Sequence, residues 1–187
     1  MGMPELLERW TAARVRELPD DGKRYEVVDG ELLVTPAPRF DHQEAVARFW
    51  SRLDAYLRGT GIGHPTMSPA DIELDPHTLV QPDVFVVSLV EGRRPKNWTD
   101  VTGLLLAIEI LSPSSARADR TVKRRRFQRA GIEYWVVDLD ARLIERWRPG
   151  DDRPEVLTDR LVWQPEPGIA PFELDLVALF AEVLLEP

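Results

Sequence analysis

The densest run of hydrophobic positions in the chain spans residues 104–111 and contains a single charged residue, Glu109. An apolar run of this length, followed by turn-forming residues, predicts a β-strand that is buried on both faces. A carboxylate is costly to remove from water, so Glu109 in such a strand requires a cation or a proton as its partner. The pattern therefore predicts polar chemistry inside the fold.

The first part of the chain predicts a helix followed by a β-hairpin. Residues 4–18 carry an amphipathic helical stripe. Two strand-like runs, residues 24–28 and 31–34, flank Asp29-Gly30. This dipeptide favours a two-residue hairpin turn because both turn positions need positive φ. Glu26 lies on the predicted hairpin.

The pattern then becomes helical from Asp41 to Gly59, because hydrophobic residues recur at steps of three and four. Asp41 is expected to cap the N-terminus of this helix, which places His42 in the first turn. Residues 61–69 are expected to form a loop. Residues 71–74 alternate between apolar and polar positions like a half-exposed strand.

A second strand-like run, residues 79–87, is interrupted by Pro82. Proline cannot donate a hydrogen bond to a β-ladder, so the sheet is expected to be irregular where Asp83 projects. A polar loop, residues 91–102, separates this run from the central strand.

The chain beyond the central strand predicts a helix over residues 119–130, with Gly131 at the C′ position. Lys123, Phe127 and Ala130 are spaced i, i+4 and i+7. Lys123 therefore shares the helix face that turns toward the sheet.

The remaining residues predict a β-rich edge and a closing helix. The expected elements are a strand (132–138), its hairpin partner (143–148), two short strands that extend the same edge (155–157 and 161–163) and a helix (172–185). No internal repeat, long linker or low-complexity tract interrupts the pattern. The chain is therefore expected to form a single domain, residues 1–187, with its core at about residues 41–138.

Composition and charge narrow the function classes. The net charge of -8 argues against indiscriminate coating of nucleic acid, so any contact with DNA must be local. The chain has no cysteine, which excludes disulfides, thiolate zinc sites and cysteine nucleophiles. It shows neither a signal peptide nor an apolar run of roughly 20 residues, so a soluble, cytoplasmic protein without a membrane span is expected. The one local excess of positive charge consists of Arg117, Arg120, Lys123, Arg124, Arg125, Arg126 and Arg129.

Several motifs follow one another in order: Gln81-Pro82-Asp83-Val84, Ile108-Glu109-Ile110-Leu111-Ser112-Pro113-Ser114, residues 119–123 and residues 130–138. With the order helix, strand, strand, strand, helix, strand, they resemble the αβββαβ core of the PD-(D/E)XK nuclease superfamily, and in particular its Uma-type group of restriction-endonuclease-like proteins. The resemblance covers most of the chain. It implies an α/β (α+β) fold with a central mixed sheet, an N-terminal helix and β-hairpin, and a C-terminal β-hairpin and helix.

The residue types are also suited to metal-dependent hydrolysis of a phosphodiester. Such a reaction needs an activated water and neutralised charge on the phosphate and the leaving oxygen, and Mg²⁺ held by carboxylates supplies both. Asp83 and Glu109 come from strands that can lie side by side, and hard oxygen ligands select Mg²⁺ or Mn²⁺ over zinc. The carbonyl oxygen of Ile110 is a further candidate ligand. Lys123 is expected to orient the attacking water or to stabilise the developing negative charge.

The resemblance adds two residues to the candidate catalytic set. It implies that Glu26 is an additional acidic site residue and that His42 is a proton carrier or a substrate contact. One position departs from the superfamily pattern, which places its lysine two residues after the glutamate, where this chain has Leu111. In the Uma-type pattern the lysine lies on the following helix, and Lys123 matches it there.

Purely structural interpretations compete with each assignment. Asp83 can cap a turn, Glu109 can pair with a core arginine, and Lys123 can reach solvent past its hydrophobic neighbours. The run of arginines on the helix can be a solvated face or a set of phosphate contacts: Arg124, Arg125 and Arg126.

The sequence predicts a Mg²⁺-dependent DNA endonuclease that acts as a homodimer, because enzymes that cut both strands often present two sites by twofold symmetry. One alternative is a catalytically idle module that binds nucleic acid or protein on the same fold. Another is a scaffold whose buried Glu109 only forms an ion pair.

Overall fold

The computed structural model describes residues 9–185, which form helices, strands and two irregular helical turns. The helices are α1 (Ala12–Arg16), α2 (Phe40–Leu57), α3 (Ala116–Ala118), α4 (Arg124–Arg129) and α5 (Leu176–Val183), with a 3₁₀ turn at Trp98–Asp100 and a π turn at Asp119–Lys123. The strands are β1 (Arg24–Val28), β2 (Glu31–Thr35), β3 (Gly63–Met67), β4 (Ile72–Asp75), β5 (Thr78–Val80), β6 (Val84–Ser88), β7 (Leu104–Ile110), β8 (Glu133–Asp138), β9 (Leu143–Trp147), β10 (Glu155–Leu157), β11 (Arg160–Trp163) and β12 (Phe172–Asp175).

The strands form three sheets, which we name the large sheet, the small sheet and the ribbon. The large sheet has the order β10-β9-β8-β7-β6-β3, the small sheet has the order β2-β1-β5-β4, and the ribbon pairs β11 with β12. In the large sheet β7 and β8 are parallel, and the other neighbours are antiparallel. A parallel pair needs a crossover, which α3, the π turn and α4 supply. The fold is therefore mixed α+β with a central mixed sheet, as predicted.

Both faces of the large sheet are buried, which explains the continuous apolar run in β7. On one face, α2, α5 and the ribbon enclose a core in which the rings of Trp135 and Trp163 meet edge to face, with centroids 5.9 Å apart. On the other face, Phe127 of α4 stacks on Tyr134 of β8 at 4.9 Å. The sheet is thus the middle layer of the protein, and a polar group on β7 has little access to water.

The predicted hairpin and first long helix are confirmed, with one correction. Asp29 and Gly30 both have positive φ, 53° and 86°, as a two-residue turn between β1 and β2 requires. Helix α2 begins at Phe40, so its N-cap is Arg39, and Asp41 lies inside the first turn. The prediction that Asp41 is the cap is therefore wrong, whereas the placement of His42 in the first turn is confirmed.

Two predicted segments differ from the structure because of proline. Residues 61–69 are not all loop: β3 pairs with β6 even though it contains Pro65. Because β3 lies at the edge of the large sheet, a missing N–H donor is tolerated there. The run at residues 79–87 is two strands, since β5 belongs to the small sheet and β6 to the large sheet. Pro82 marks the place where the chain passes from one sheet to the other.

The ends of the chain also differ from the prediction. The first four residues of the expected C-terminal helix form β12, whose side chains alternate between buried and exposed, and α5 starts only after the cap Asp175. Because β11 pairs with β12, it does not extend the edge formed by β10. The N-terminal helix is confirmed for Ala12–Arg16, while residues 4–8 lie outside the described residues. Within residues 9–185 no helix has the length and apolar character needed to cross a bilayer.

Candidate active site

Asp83 lies directly before β6, where it faces β7 across the antiparallel ladder. The register pairs Val84 with Ile108, and one step further along both strands brings Asp83 opposite Glu109. The Ile110 N–H donates to Asp83 Oδ2 at 2.9 Å. The sequence predicts the irregularity after Pro82, and the structure adds that the Asp83 carboxylate there is held against the backbone of β7.

Two further groups hold the Asp83 carboxylate from the sides. His42 Nε2 lies 3.1 Å from Oδ2, so the first turn of α2 reaches the site. Arg24 Nη1, from β1, donates to Oδ1 at 2.7 Å and to the Gln81 carbonyl at 3.2 Å. Asp83 is therefore bound by groups from the small sheet, the large sheet and helix α2.

Lys123 lies at the centre of a second cluster, formed by three carboxylates. Its Nζ is 2.6 Å from Glu26 Oε2, 3.0 Å from Glu109 Oε1 and 3.3 Å from Asp119 Oδ1. Glu26 is held in turn by the Gln81 N–H, which donates to its Oε1 at 2.7 Å. A single ammonium group thus joins acids from β1, β7 and the crossover helix.

We name these six side chains the charged centre: Arg24, Glu26, Asp83, Glu109, Asp119 and Lys123. The four acids and the lysine are each at most 3% exposed, and Arg24 is half-buried. Four carboxylates face two cationic groups, so with every group ionised the centre carries an excess of two negative charges. Such an excess in a buried site must be balanced by protons or by a bound cation.

The pKa values divide the acids into two groups. Burial raises the pKa of Glu109 well above its usual value, although Lys123 opposes this shift, and burial likewise raises the pKa of Asp119. Burial alone would also raise the pKa of Asp83, but the hydrogen bond from His42 and the charge of Arg24 lower it. Asp83 is therefore the acid that stays ionised, whereas Glu109 and Asp119 are the acids that take up protons most readily.

The pKa of Lys123 moves in the opposite direction to the one that burial favours. Burial alone would lower it, but Glu109 and Glu26 raise it well above its usual value. Lys123 is therefore a permanent positive charge within the described centre, so it can donate hydrogen bonds but does not act as a base while these acids surround it.

The crossover helix widens into a π turn where it supplies Asp119 and Lys123. Residues four apart lie on one face in a π turn as they do in an α-helix. Asp119, Lys123 and Phe127 are consequently all buried on the side that faces the sheet. The predicted helix starts at Asp119, whereas the helical run begins at Ala116.

A cavity of about 290 Å³, which we name the site cavity, opens onto the centre. Its walls come from the end of β2 and the connector that follows it (residues 35–39), from the loop after β7 (residues 112–115) and from a set of side chains: Arg24, His42, Asp83, Glu109 and Lys123. The sequence-predicted residues Asp83, Glu109, Lys123 and His42 therefore meet at one cavity. Glu26 contacts Lys123 but does not itself line the site cavity.

Arg24 and Asp119 were absent from the predicted catalytic set. Arg24 and Glu26 are two residues apart on β1, so they share one face of the strand, and this spacing links Arg24 to the acids. Asp119 and Lys123 are four apart on the predicted helix, a spacing typical of ion pairs. Both signals are present in the sequence, but neither one reveals which other element lies opposite.

The three consecutive arginines of α4 do not act as a set. Arg124 lies over the Trp147 ring, 4.4 Å from its centroid, and Arg126 pairs with Asp75 at 2.6 Å. Arg125 is exposed. Two of the three candidate phosphate contacts are thus engaged in contacts within the protein.

Within residues 9–185 no group of three or more His, Asp or Glu side chains is already arranged to hold a metal ion. Arg24 and Lys123 lie next to the carboxylates of Asp83 and Glu109. The donor set nevertheless fits a divalent cation of the Mg²⁺ type, because it consists of hard carboxylate oxygens with uncompensated negative charge.

The fold and the motifs together place the chain in the restriction-endonuclease-like class of nuclease folds. A model of the Uma2 family, described as "Putative restriction endonuclease", matches residues 12–177, and the chain belongs to this family. The crystal structure of a putative nuclease belonging to DUF820 from Anabaena variabilis ATCC 29413 is similar, with a TM-score of 0.73 and 20% identity over 93% of this chain and 99% of that chain. At this identity the likeness shows a shared fold. None of the curated proteins compared with the chain matches it.

Proposed function

We propose that the chain is a divalent-metal-dependent endonuclease that hydrolyses phosphodiester bonds in DNA. The observation that supports this most is the meeting of Asp83, Glu109 and Lys123 at the site cavity, from two adjacent strands and the following helix. Membership of a nuclease family makes nucleic acid the expected substrate.

Asp83 and Glu109 would hold the metal, Mg²⁺ or Mn²⁺, together with the Ile110 carbonyl. In a strand, the N–H and C=O of one residue point toward the same neighbour. Since the Ile110 N–H donates to Asp83, its carbonyl faces the same side. The bound metal would activate water and neutralise charge on the phosphate. Two excess negative charges in the centre favour a divalent cation over a monovalent one.

Lys123 would act as a fixed cation beside the reacting phosphate. Its contacts with Glu26 and Asp119 hold the Nζ within 3.0 Å of Glu109, so the ammonium group is pre-positioned at low cost in entropy. Glu26 is accordingly a positioning residue. His42 would hold Asp83 in place through its 3.1 Å contact and lies close enough to the cavity to carry a proton.

Phosphate recognition would depend on Arg24 and Arg39, which both line the site cavity. The exposed Arg125 remains a candidate for contact with the DNA backbone, whereas Arg124 and Arg126 are engaged elsewhere. Such a small set of cations is consistent with a chain whose net charge is -8, because binding then depends on local contacts.

A homodimer is the assembly we propose for double-strand cleavage, because two nicks on opposite strands need two centres related by twofold symmetry. The tryptophan side chains provide little exposed apolar surface for such a dimer interface. Trp98 is 44% exposed, whereas Trp135, Trp147 and Trp163 are buried. Ultracentrifugation with and without DNA measures the assembly directly.

One observation favours a second candidate, a catalytically idle binding module. Arg24 already pairs with Asp83 at 2.7 Å, and Lys123 already pairs with Glu109 at 3.0 Å. Both proposed metal ligands thus have a cationic partner without any metal. A protein that kept these pairs when bound to DNA would bind without cutting.

Nicking of supercoiled plasmid distinguishes the two candidates. We expect cleavage by the wild-type chain in Mg²⁺ or Mn²⁺ and none in EDTA, with Asp83→Asn, Glu109→Gln and Lys123→Ala each reducing the rate by about 100-fold or more. Glu173→Gln, an exposed acid on the ribbon, is the matched control and should retain full activity. Equal nicking by wild type and all variants would refute the site, and DNA binding without nicking would support the idle module.

A further inference from the structure

A second cavity, of about 320 Å³, adjoins the site cavity, and we name it the side cavity. Four residues line both: Arg39, His42, Ser112 and Pro113. This volume is at the lower end of the range for small-ligand pockets, which suits one nucleoside and is too small for a length of duplex. A ligand whose phosphate enters the site cavity can therefore place an adjacent group in the side cavity.

The walls of the side cavity combine apolar and polar groups. Leu111, Ala116 and Leu139 provide an apolar surface, while Asp41 and Asp140 provide carboxylates at the rim. A flat heterocycle with N–H donors, such as a nucleobase, matches both kinds of wall.

The charges argue against a second phosphate in the side cavity. Of its two arginines, Arg120 is already paired with Asp138 at 2.8 Å and with Glu145 at 2.7 Å. The remaining cation, Arg39, shares the cavity wall with the acids Asp41 and Asp140. A neutral ligand that donates hydrogen bonds is therefore favoured over an anion.

His42 connects the two cavities and retains an unused polar atom. It is 8% exposed, and its Nε2 contacts Asp83. Its Nδ1 is buried and has no hydrogen-bond partner within the part of the chain that the structure describes. A buried ring nitrogen without a partner is costly unless a ligand supplies one.

An exposed aromatic residue, Phe40, lies in the sequence between Arg39 of the shared wall and Asp41 of the side cavity. Phe40 is the first residue of α2, directly after Arg39, and is 80% exposed. It is the most exposed large hydrophobic side chain in residues 9–185. Proteins that bind unpaired nucleic acid commonly present such rings for bases to stack on.

From these observations we propose that the side cavity receives the base next to the cleaved phosphodiester, with the neighbouring base stacked on Phe40. The substrate is then a single strand, or a duplex from which one base is turned out. This inference rests on the proposed nuclease function. The side cavity requires such a substrate, because a paired and stacked nucleotide cannot place its base there. Turning a base out costs least where the strand is already unpaired.

The test compares binding of three fluorescein-labelled probes in EDTA: a short single strand, the same backbone with abasic sugars, and a blunt duplex of the same sequence. We expect the wild-type chain to bind the single strand about tenfold or more tightly than the abasic probe, as one or two stacked bases provide. Ala116→Trp fills the side cavity and should remove this preference without weakening abasic binding. Ala118→Trp, in the same short helix but outside the cavity wall, is the matched control. Phe40→Leu should reduce the preference, and Phe40→Trp should preserve it.

The outcomes separate this inference from the proposed function. Equal affinity of the wild-type chain for the base-containing and abasic probes would overturn the inference, while metal-dependent nicking of plasmid would leave the nuclease proposal intact. An unchanged preference in Ala116→Trp would also overturn it. The duplex arm distinguishes the two sources of the base: tight binding of the blunt duplex indicates a base turned out of a helix, and weak binding indicates an unpaired strand. Binding to none of the probes in EDTA would overturn the inference, and the nuclease proposal would be refuted only if nicking in Mg²⁺ or Mn²⁺ were absent as well.

Discussion

Arg24 Nη1 lies 2.7 Å from Asp83 Oδ1, although 59 residues separate them in the chain. The contact joins the first strand of the small sheet to the residue that precedes β6 of the large sheet. It places the positive charge of Arg24 beside the carboxylate that the proposed mechanism assigns to metal binding. Arg24 is therefore a structural partner of Asp83 and, in the proposed mechanism, competes with the metal for its carboxylate.

Removing this arginine should tighten metal binding. Arg24→Met keeps most of the side-chain volume but removes the charge, and two unit charges about 4 Å apart in a partly buried site interact by roughly 4 kcal/mol. We expect Mn²⁺ affinity, measured by calorimetry, to increase by at least tenfold, which corresponds to about 1.4 kcal/mol and so to only part of that interaction. Arg48→Met, which removes an exposed pair with Glu44, is the control. Weaker or unchanged affinity in Arg24→Met would contradict the proposed role.

The pH dependence of stability should reveal the ionised state of Asp83. Its pKa is lowered in the folded chain, so the unfolded chain binds the proton more readily, and the resulting stability is lost as pH falls below the ordinary aspartate value of about 3.8. In urea unfolding of the metal-free chain, Asp83→Asn should show a shallower loss of stability than wild type below about pH 4. Asp152→Asn, an exposed acid, should follow the wild-type curve. Parallel curves for wild type and Asp83→Asn would refute this.

Lys123 should contribute strongly to stability when no metal is present. Lys123→Met leaves Glu26, Glu109 and Asp119 buried without a cation, and breaking a buried pair in this way costs about 3–5 kcal/mol. The loss should be largest at high pH, where Glu109 and Asp119, whose pKa values burial raises, are hardest to keep protonated. Adding Glu109→Gln to Lys123→Met should recover part of it. A loss below about 1 kcal/mol at neutral pH would mean that solvent reaches the centre.

Gly63 should be sensitive to an added methyl group because β3 packs closely against its neighbours. A Cβ at this position would lie 2.7 Å from Val86 Cγ1 and 3.0 Å from Leu105 Cδ1. Gly63→Ala should therefore lower the free energy of unfolding by about 1–3 kcal/mol. Gly103→Ala is the matched control, since its Cβ would come no closer than 3.8 Å to Ser88 Oγ. Equal unfolding midpoints for the two variants would contradict the close packing.

Local signals predicted most of the fold correctly. The Asp29-Gly30 turn, the periodicity of α2 and the apolar run of β7 each report structure that is determined by nearby residues. The misses depend on distant partners. Gly63 and Pro65 are typical of a loop, and β3 is a strand only because β6 lies beside it. Similarly, Phe172 and Leu174 become part of β12 through pairing with β11.

The predicted site residues do lie together, but their pairing could not be read from the sequence. The burial of Glu109 followed from its apolar neighbours, and the placement of Lys123 followed from helix periodicity. The contact of Arg24 with Asp83 required knowledge of how the small sheet docks on the large one. The π turn likewise could not be predicted, because the hydrophobic periodicity of this segment is that of an ordinary α-helix.

The passage of the chain between the sheets at residues 81–83 gives the centre a mechanical role. The Gln81 N–H holds Glu26, and Asp83 follows two residues later, so acids of both sheets are attached to the same short bridge. Lys123 binds both Glu26 of the small sheet and Glu109 of the large sheet, and so links the two sheets. If the small sheet tilted away from the large one, these three side chains would separate at once, and amide protons in β1 and β5 would begin to exchange with solvent. The side chains proposed to act on a substrate thus also hold the small sheet against the large sheet.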